Sequence, residues 1–142
     1  RLKEKYRSTD TILHNLAENP YMLMEVDGIG WKKADEIALK GGYSKNGKYR
    51  VRAYCIYYLE NQAEINGHSW VYLSELYKGV KDEIPEINKE EMISYLQDWT
   101  GKSGISCDSF LYYDGPTKRI GLQKYRKLIL LLTRITLMFQ IL

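Results

Sequence analysis

Residues 19–38 read "NPYMLMEVDGIGWKKADEIA", and the way this stretch turns decides how the first half of the chain folds. Asn19 suits a helix N-cap, and Pro20 suits the first helical position, where its missing N–H breaks no hydrogen bond. The short helix that starts there is predicted to end at Val26. Gly28 and Gly30 then make a tight turn. A third helix is predicted from Trp31 to Lys40, with Ala34, Ile37 and Ala38 on its buried side and Gly41-Gly42 closing it. Trp31, Lys32 and Lys33 fall on its first turn, which is expected to be exposed.

Working outward, Asp10 is a candidate cap for a first helix, with Ile12, Leu13, Leu16 and Ala17 on one face. Downstream, "SKNGK" reads as a loop. Residues 50–64 carry the cleanest amphipathic pattern: Val51, Tyr54, Cys55, Tyr58 and Leu59 recur at helical spacing. Asn66-Gly67-His68 closes this helical half. Leu73, Leu76, Tyr77 and Val80 then mark another helix. Asn88 and Glu91 resemble a capping arrangement before Met92, Ile93, Leu96 and Trp99. Short apolar stretches on either side of Asp114-Gly115-Pro116 read as a β-hairpin. Two helices followed by a hairpin is the order of a winged-helix module. The expected fold is therefore mainly α: a helix-hairpin-helix bundle over 1–67, then a winged-helix-like unit over 68–142 with a small β-hairpin and an apolar C-terminal helix.

That last segment, "KLILLLTRITLMFQIL", is too short for a membrane span and carries Arg134 and Gln140. It is expected to be buried, with one face in the core of its own domain and the other against a domain outside this chain.

Length and composition fit this plan. The 142 residues suffice for one ordinary domain or two small ones packed together, and 44% hydrophobic with 27% charged residues is a soluble, globular balance. Thirteen tyrosines can serve as core filler or as a binding platform. Cys55 and Cys107 lie in no metal-ligand spacing and read as reduced cytosolic thiols. No apolar run follows "RLKEKYRSTD", so no signal peptide is expected there. A chain that starts on Arg1 rather than Met is expected to be a piece of a longer protein. The net charge is +3, but unevenly spread. No acid lies between Glu36 and Glu60, where Lys40, Lys45, Lys48, Arg50 and Arg52 fall, and none follows Asp114. Such segregation can build a face that attracts polyanions.

Val26-Asp27-Gly28-Ile29-Gly30 is apolar-x-Gly-apolar-Gly between short helices, the helix-hairpin-helix pattern. Glycines let the backbone approach a ligand closely, and the N–H groups at the start of the next helix are unsatisfied and carry the positive end of its dipole. Phosphate oxygens fit such a site. Ile29 is expected to point inward and lock the turn, while Lys32 and Lys33 add charge. Trp31 is open between base stacking and a core or interface role. A contact of this kind positions a strand without reading its sequence. Further basic contacts are expected at Lys45, Lys48, Arg50 and Arg52, and at Lys118 and Arg119 on the wing. The alternative is bracing alone, with Tyr and Trp side chains making a protein interface.

Catalysis finds little support. Helix-hairpin-helix glycosylases need an Asp about twenty residues past the turn, and there is none between Asp35 and Asp82. His14 and His68 are isolated, His68 being expected at a helix start or as a buried hydrogen-bonding group. Glu90-Glu91 lies on a solvated helix. No metal-ligand cluster is legible.

"ENPYMLMEVDGIGWKKADEIALKGG" and "YRVRAYCIYYLENQAEINGHSWVYLSEL" together resemble the amino-terminal helix-hairpin-helix region of RecD-like DNA helicases, the exonuclease V alpha-chain type. The features that match are Asn19-Pro20-Tyr21, the Gly28-Ile29-Gly30 turn, Lys33-Ala34-Asp35 with Ile37-Ala38, the Arg50 helix, and Gly67-His68-Ser69. The resemblance covers residues 10–78 and is thin beyond. It implies a DNA-binding, non-catalytic accessory region ahead of an ATP- and magnesium-dependent motor that unwinds DNA 5′ to 3′ in repair and recombination, in the cytoplasm. It further implies that residues 1–18 end an earlier hairpin unit and that the C-terminal helix leads toward the motor. A monovalent cation held by the hairpin carbonyls is a possibility at the level of the family, with little weight for this chain. No G-x-x-x-x-G-K-[ST] phosphate loop occurs, and "GGYSKNGKYR" has the wrong spacing. The ATPase is therefore not in this chain, and no cofactor is expected in it.

Overall fold

A computed structural model of the chain describes residues 9–101 and 109–141. Its elements are mainly helical. Helix α1 (Thr9–Glu18) is followed by a 3-10 helix (Pro20–Glu25), α2 (Trp31–Lys40), α3 (Lys48–Asn66), the two-residue strand β1 (Val71–Tyr72), α4 (Leu73–Glu83), α5 (Lys89–Trp99), β2 (Leu111–Asp114), β3 (Arg119–Leu122) and α6 (Gln123–Ile141). They cluster into two compact units, Arg1–Tyr57 and Tyr58–Leu142. The division falls inside α3, so the glycine break at Gly67 and the change of packing partners do not coincide.

The first unit follows local chemistry closely. The side chain of Asn19 accepts from the Tyr21 N–H at 3.1 Å and caps the 3-10 helix, with Pro20 in its first turn. Helix α2 ends in a Schellman arrangement: the Tyr43 N–H donates to the Ala38 carbonyl and the Gly42 N–H to that of Leu39. Gly42 takes the left-handed φ of +84° that this ending requires. Ile12, Trp31, Ala34, Ala38, Val51, Ala53 and Cys55 are buried. Burial alone pushes the Cys55 thiol up to about 12, so it is an inert core thiol. Cys107 lies outside the described residues.

Several expected faces are corrected. Asp10 lies within the first turn of α1 and not before it. Leu13 on α1 is exposed, and on α2 Ile37 is exposed because the inward stripe of that helix runs Trp31, Ala34, Asp35, Ala38. His68 is exposed, and its N–H donates to the Gln62 carbonyl past the end of α3.

In the second unit, Asn88 and Glu91 form the expected cap of α5, and the hairpin turns after Asp114. Strand β1, too short to be read in advance, pairs antiparallel with β3, giving a three-stranded sheet of order β1-β3-β2. Leu76, Val80, Ile84, Ile87, Met92, Trp99, Leu111, Ile120 and Leu122 form its core. Helix α6 departs from expectation: Leu128 and every residue from 131 to 140 are exposed, so that stretch has no inward face.

Candidate nucleic-acid interface

The turn between the 3-10 helix and α2 leaves its polar backbone open. Gly28 has φ +86°, which a side chain rarely adopts, and no heavy atom lies within 4 Å of where its Cβ would be. Gly30 is the N-cap of α2 in extended conformation, φ −94° and ψ −171°, also with nothing within 4 Å of a Cβ. Only Gly28 is thus demanded by the fold. The Ile29 N–H donates to the Val26 carbonyl, and the Ala34 N–H donates to the Gly30 carbonyl. Among the described residues no acceptor engages the N–H of Gly28, Gly30, Lys32 or Lys33, and all four residues are exposed. Gly30 offers no side-chain cap, and the first turn of α2 holds no acid. No acid within that first turn offsets the dipole, and two lysines add to its positive charge. Ile29 is half-buried and Asp27 is exposed on the same turn.

The opposite side of α2 holds the turn in place. Asp35 is buried beneath Arg50, whose Nε donates to Oδ1 at 2.8 Å and whose Nη2 donates to Oδ2 at 2.9 Å. Arg50 Nη1 also donates to the Lys45 carbonyl at 2.7 Å, and the Tyr21 hydroxyl donates to Asp35 Oδ1 at 2.7 Å. This bidentate network joins the 3-10 helix, α2, the following loop and α3. Burial first, and then the hydrogen bond to Asp35, hold the Tyr21 hydroxyl well above the usual tyrosine range. Beside it, Trp31 is 2% exposed, stacked on Tyr21 at 5.7 Å and packed against Tyr54 at 5.2 Å and Tyr57 at 6.4 Å.

Residues 1–70 match a family described as the ATP-dependent RecD2 DNA helicase HHH domain. The chain carries a RecD2-type helix-hairpin-helix domain. The match spans the segment in which the turn and its brace both lie.

In this RecD2-type domain two expected contact residues are corrected. Trp31 is a core residue whose ring is covered by three tyrosines, so it presents no face to a base. Arg50 is 6% exposed and its guanidinium is engaged by Asp35 and the Lys45 carbonyl, so it offers no donor fork to a phosphate. Gly28, Ile29, Gly30, Lys32 and Lys33 are brought together on the turn. Lys45 and Lys48 are exposed on the loop and at the start of α3, and Arg52 is half-buried one turn on. Lys118 and Arg119 belong to the second unit. Lys118 is exposed on the hairpin turn with φ +58°, and Arg119 is half-buried with its guanidinium 4.0 Å from the centre of the Trp70 ring. Sequence reasoning missed Asp35 and Tyr21 as the brace. The spacing of Trp31, Ala34, Asp35 and Ala38 was the available signal, because it puts an acid on an apolar stripe where it needs a buried partner. Among the described residues no three His, Cys, Asp or Glu side chains are grouped as a metal site would need, and no helix is long and apolar enough to cross a membrane.

Proposed function

We propose that this chain is a non-catalytic DNA-binding accessory region of an ATP-dependent 5′–3′ RecD-like helicase, and that it holds the DNA backbone through the Gly28–Gly30 turn. One observation carries the reading: the exposed, unpartnered amides of Gly28, Gly30, Lys32 and Lys33, at a helix start that lacks both a cap and an acid. Phosphate supplies the charge and the acceptors that this end of α2 lacks. Lys32 and Lys33 provide the long-range attraction, with Lys45, Lys48 and Arg52 as outlying cations. Such binding is insensitive to base sequence and steeply dependent on salt. The proposed organisation is a hairpin domain over 1–67 and a winged-helix-like domain over 68–142, for which the sheet order β1-β3-β2 around α4 and α5 is the support. ATP and magnesium belong to the motor of the parent helicase, acting in cytoplasmic DNA repair and recombination.

The test is titration of the chain with labelled single-stranded, forked and duplex DNA over a range of salt. Changing Lys32 and Lys33 together to Ala should lower the slope of log affinity against log salt by about 2, roughly one for each phosphate left without its lysine. An unaltered slope removes these lysines from the interface. A second reading, docking onto the helicase motor or a partner protein, is favoured by the exposed apolar residues of α6, including Leu128, Leu131, Leu132, Ile135 and Phe139. Absence of DNA binding even at low salt would favour it.

A further inference from the structure

The small sheet of the second unit has two unlike faces. Val71, Leu111, Ile120 and Leu122 fill one and are buried. Strand register sends Tyr72, Arg119, Tyr112 and Asp114 to the other, since Arg119 pairs with both Tyr72 and Asp114, and Tyr112 pairs with Gly121. Trp70, two residues before Tyr72, shares this outer face and meets the Tyr72 ring edge-on at 5.2 Å. The Arg119 guanidinium lies over the Trp70 ring at 4.0 Å, and that of Arg126, in the first turn of α6, lies 5.3 Å from the Tyr112 ring.

The charges here are unbalanced. Among the described residues no carboxylate pairs with Arg119 or Arg126, and Arg119 Nε is buried without a hydrogen-bond acceptor. The one acid on these strands, Asp114, accepts from the Thr117 hydroxyl within the hairpin turn. Lys118, exposed on that turn, adds a third cation. A face built only for packing would cover its rings and pair its guanidiniums with carboxylates. This one keeps Tyr72 44% exposed and stacks planar cations on aromatic rings, leaving flat apolar surface and positive charge side by side.

Flat rings beside unneutralised arginines suit a polyanion that also offers flat rings. A single strand does so, because its bases are free to leave one another and stack on protein. A duplex offers its phosphates but keeps its base faces hidden. We propose that the face formed by Trp70, Tyr72, Tyr112, Arg119 and Arg126 binds single-stranded DNA by stacking on its bases, without preference for base identity. This rests on the reading that the chain's ligand is DNA, but it uses none of the hairpin residues, so the two can fail separately.

The experiment compares the affinity of the chain for a labelled oligothymidylate and for an abasic strand of the same length, which keeps the phosphates and lacks the bases. Wild type should favour the thymidine strand by about 10-fold or more. Tyr72→Ala and Arg119→Ala should weaken thymidine-strand binding roughly 5- to 100-fold and leave the abasic strand nearly unchanged. Tyr72 is exposed, so its replacement leaves the core intact, and circular dichroism with thermal melting verifies this. Lys32→Ala with Lys33→Ala should weaken both strands by a similar factor and keep their ratio. Equal wild-type affinity for the two strands overturns the proposal, as does a thymidine preference that survives in both Tyr72→Ala and Arg119→Ala. Binding of neither strand at low salt also overturns it and leaves the face to a protein partner. A retained thymidine preference with lysine variants that change nothing would count against the hairpin and for the sheet.

Discussion

Helices α2 and α5 begin in opposite ways. At α5 the Asn88 side chain accepts the Glu91 N–H at 2.8 Å and returns a bond from its amide nitrogen to the Glu91 carboxylate at 3.1 Å, and Glu90 and Glu91 occupy the first turn. Dipole and orphan amides are both answered from within the chain. At α2 the cap is Gly30 with no side chain, and Lys32 and Lys33 stand where acids would stabilise. Each choice at α2 forgoes stability that α5 takes: about 1 kcal/mol for a capping side chain and about 0.3–1 kcal/mol for each charge. The same physics applied twice gives one helix start complete in itself and one left without a capping side chain or an acid in its first turn.

Substitutions can break this contrast or sharpen it. The largest effect belongs to the inner side of α2. Arg50→Ala leaves Asp35 buried without its partner and should cost about 3–5 kcal/mol, measurable by urea unfolding. A variant that kept its stability while losing DNA affinity would move Arg50 from the brace to the interface. Next comes the turn. Gly28→Ala should cost about 1–2 kcal/mol through its left-handed backbone, whereas Gly30→Ala, in open space with ordinary φ, should barely alter melting. Any loss of DNA affinity in folded Gly30→Ala therefore reports blocked approach rather than lost structure. Asn88→Ala should then cost about 1 kcal/mol and leave DNA affinity unchanged, as befits a helix start that serves only the fold. The smallest change in stability has the opposite sign. Lys32→Glu with Lys33→Glu should stabilise by about 0.3–1 kcal/mol per residue while abolishing DNA binding. A destabilised double variant would mean that these lysines support the fold.

What was legible in the sequence was what neighbouring residues decide among themselves. Asn19-Pro20 started a helix, α2 ran from Trp31 to Lys40, Gly42 took the left-handed ending, Asn88 found Glu91, and the chain reversed after Asp114. The glycine turn was equally plain, because its amides are left over by the geometry of a helix start. The misses were pairings across distance. Arg50 looked like one more cation in a basic stretch, since nothing within a few residues of it reveals Asp35. Trp31 stayed open between stacking on a base and a core role, because the three tyrosines that cover it lie elsewhere in the unit. Strand β1 exists only because β3 pairs with it, so two residues of extended chain gave no signal of their own. The apolar run of α6 was read as buried, yet its 131–140 stretch is exposed. Hydropathy states what a segment would gain by being covered, and not whether this chain covers it.

The start of α2 also bears on isotope exchange. The Lys32 and Lys33 amides have no acceptor among the described residues and Ala34 has the Gly30 carbonyl, so the lysine pair should take up deuterium quickly in the folded free protein, while the amides from Ala34 onward wait for the helix to open. A bound phosphate would slow that fast pair and no other amide of the helix. The helix start thereby carries its own footprint, read at single residues with no atom of the protein changed.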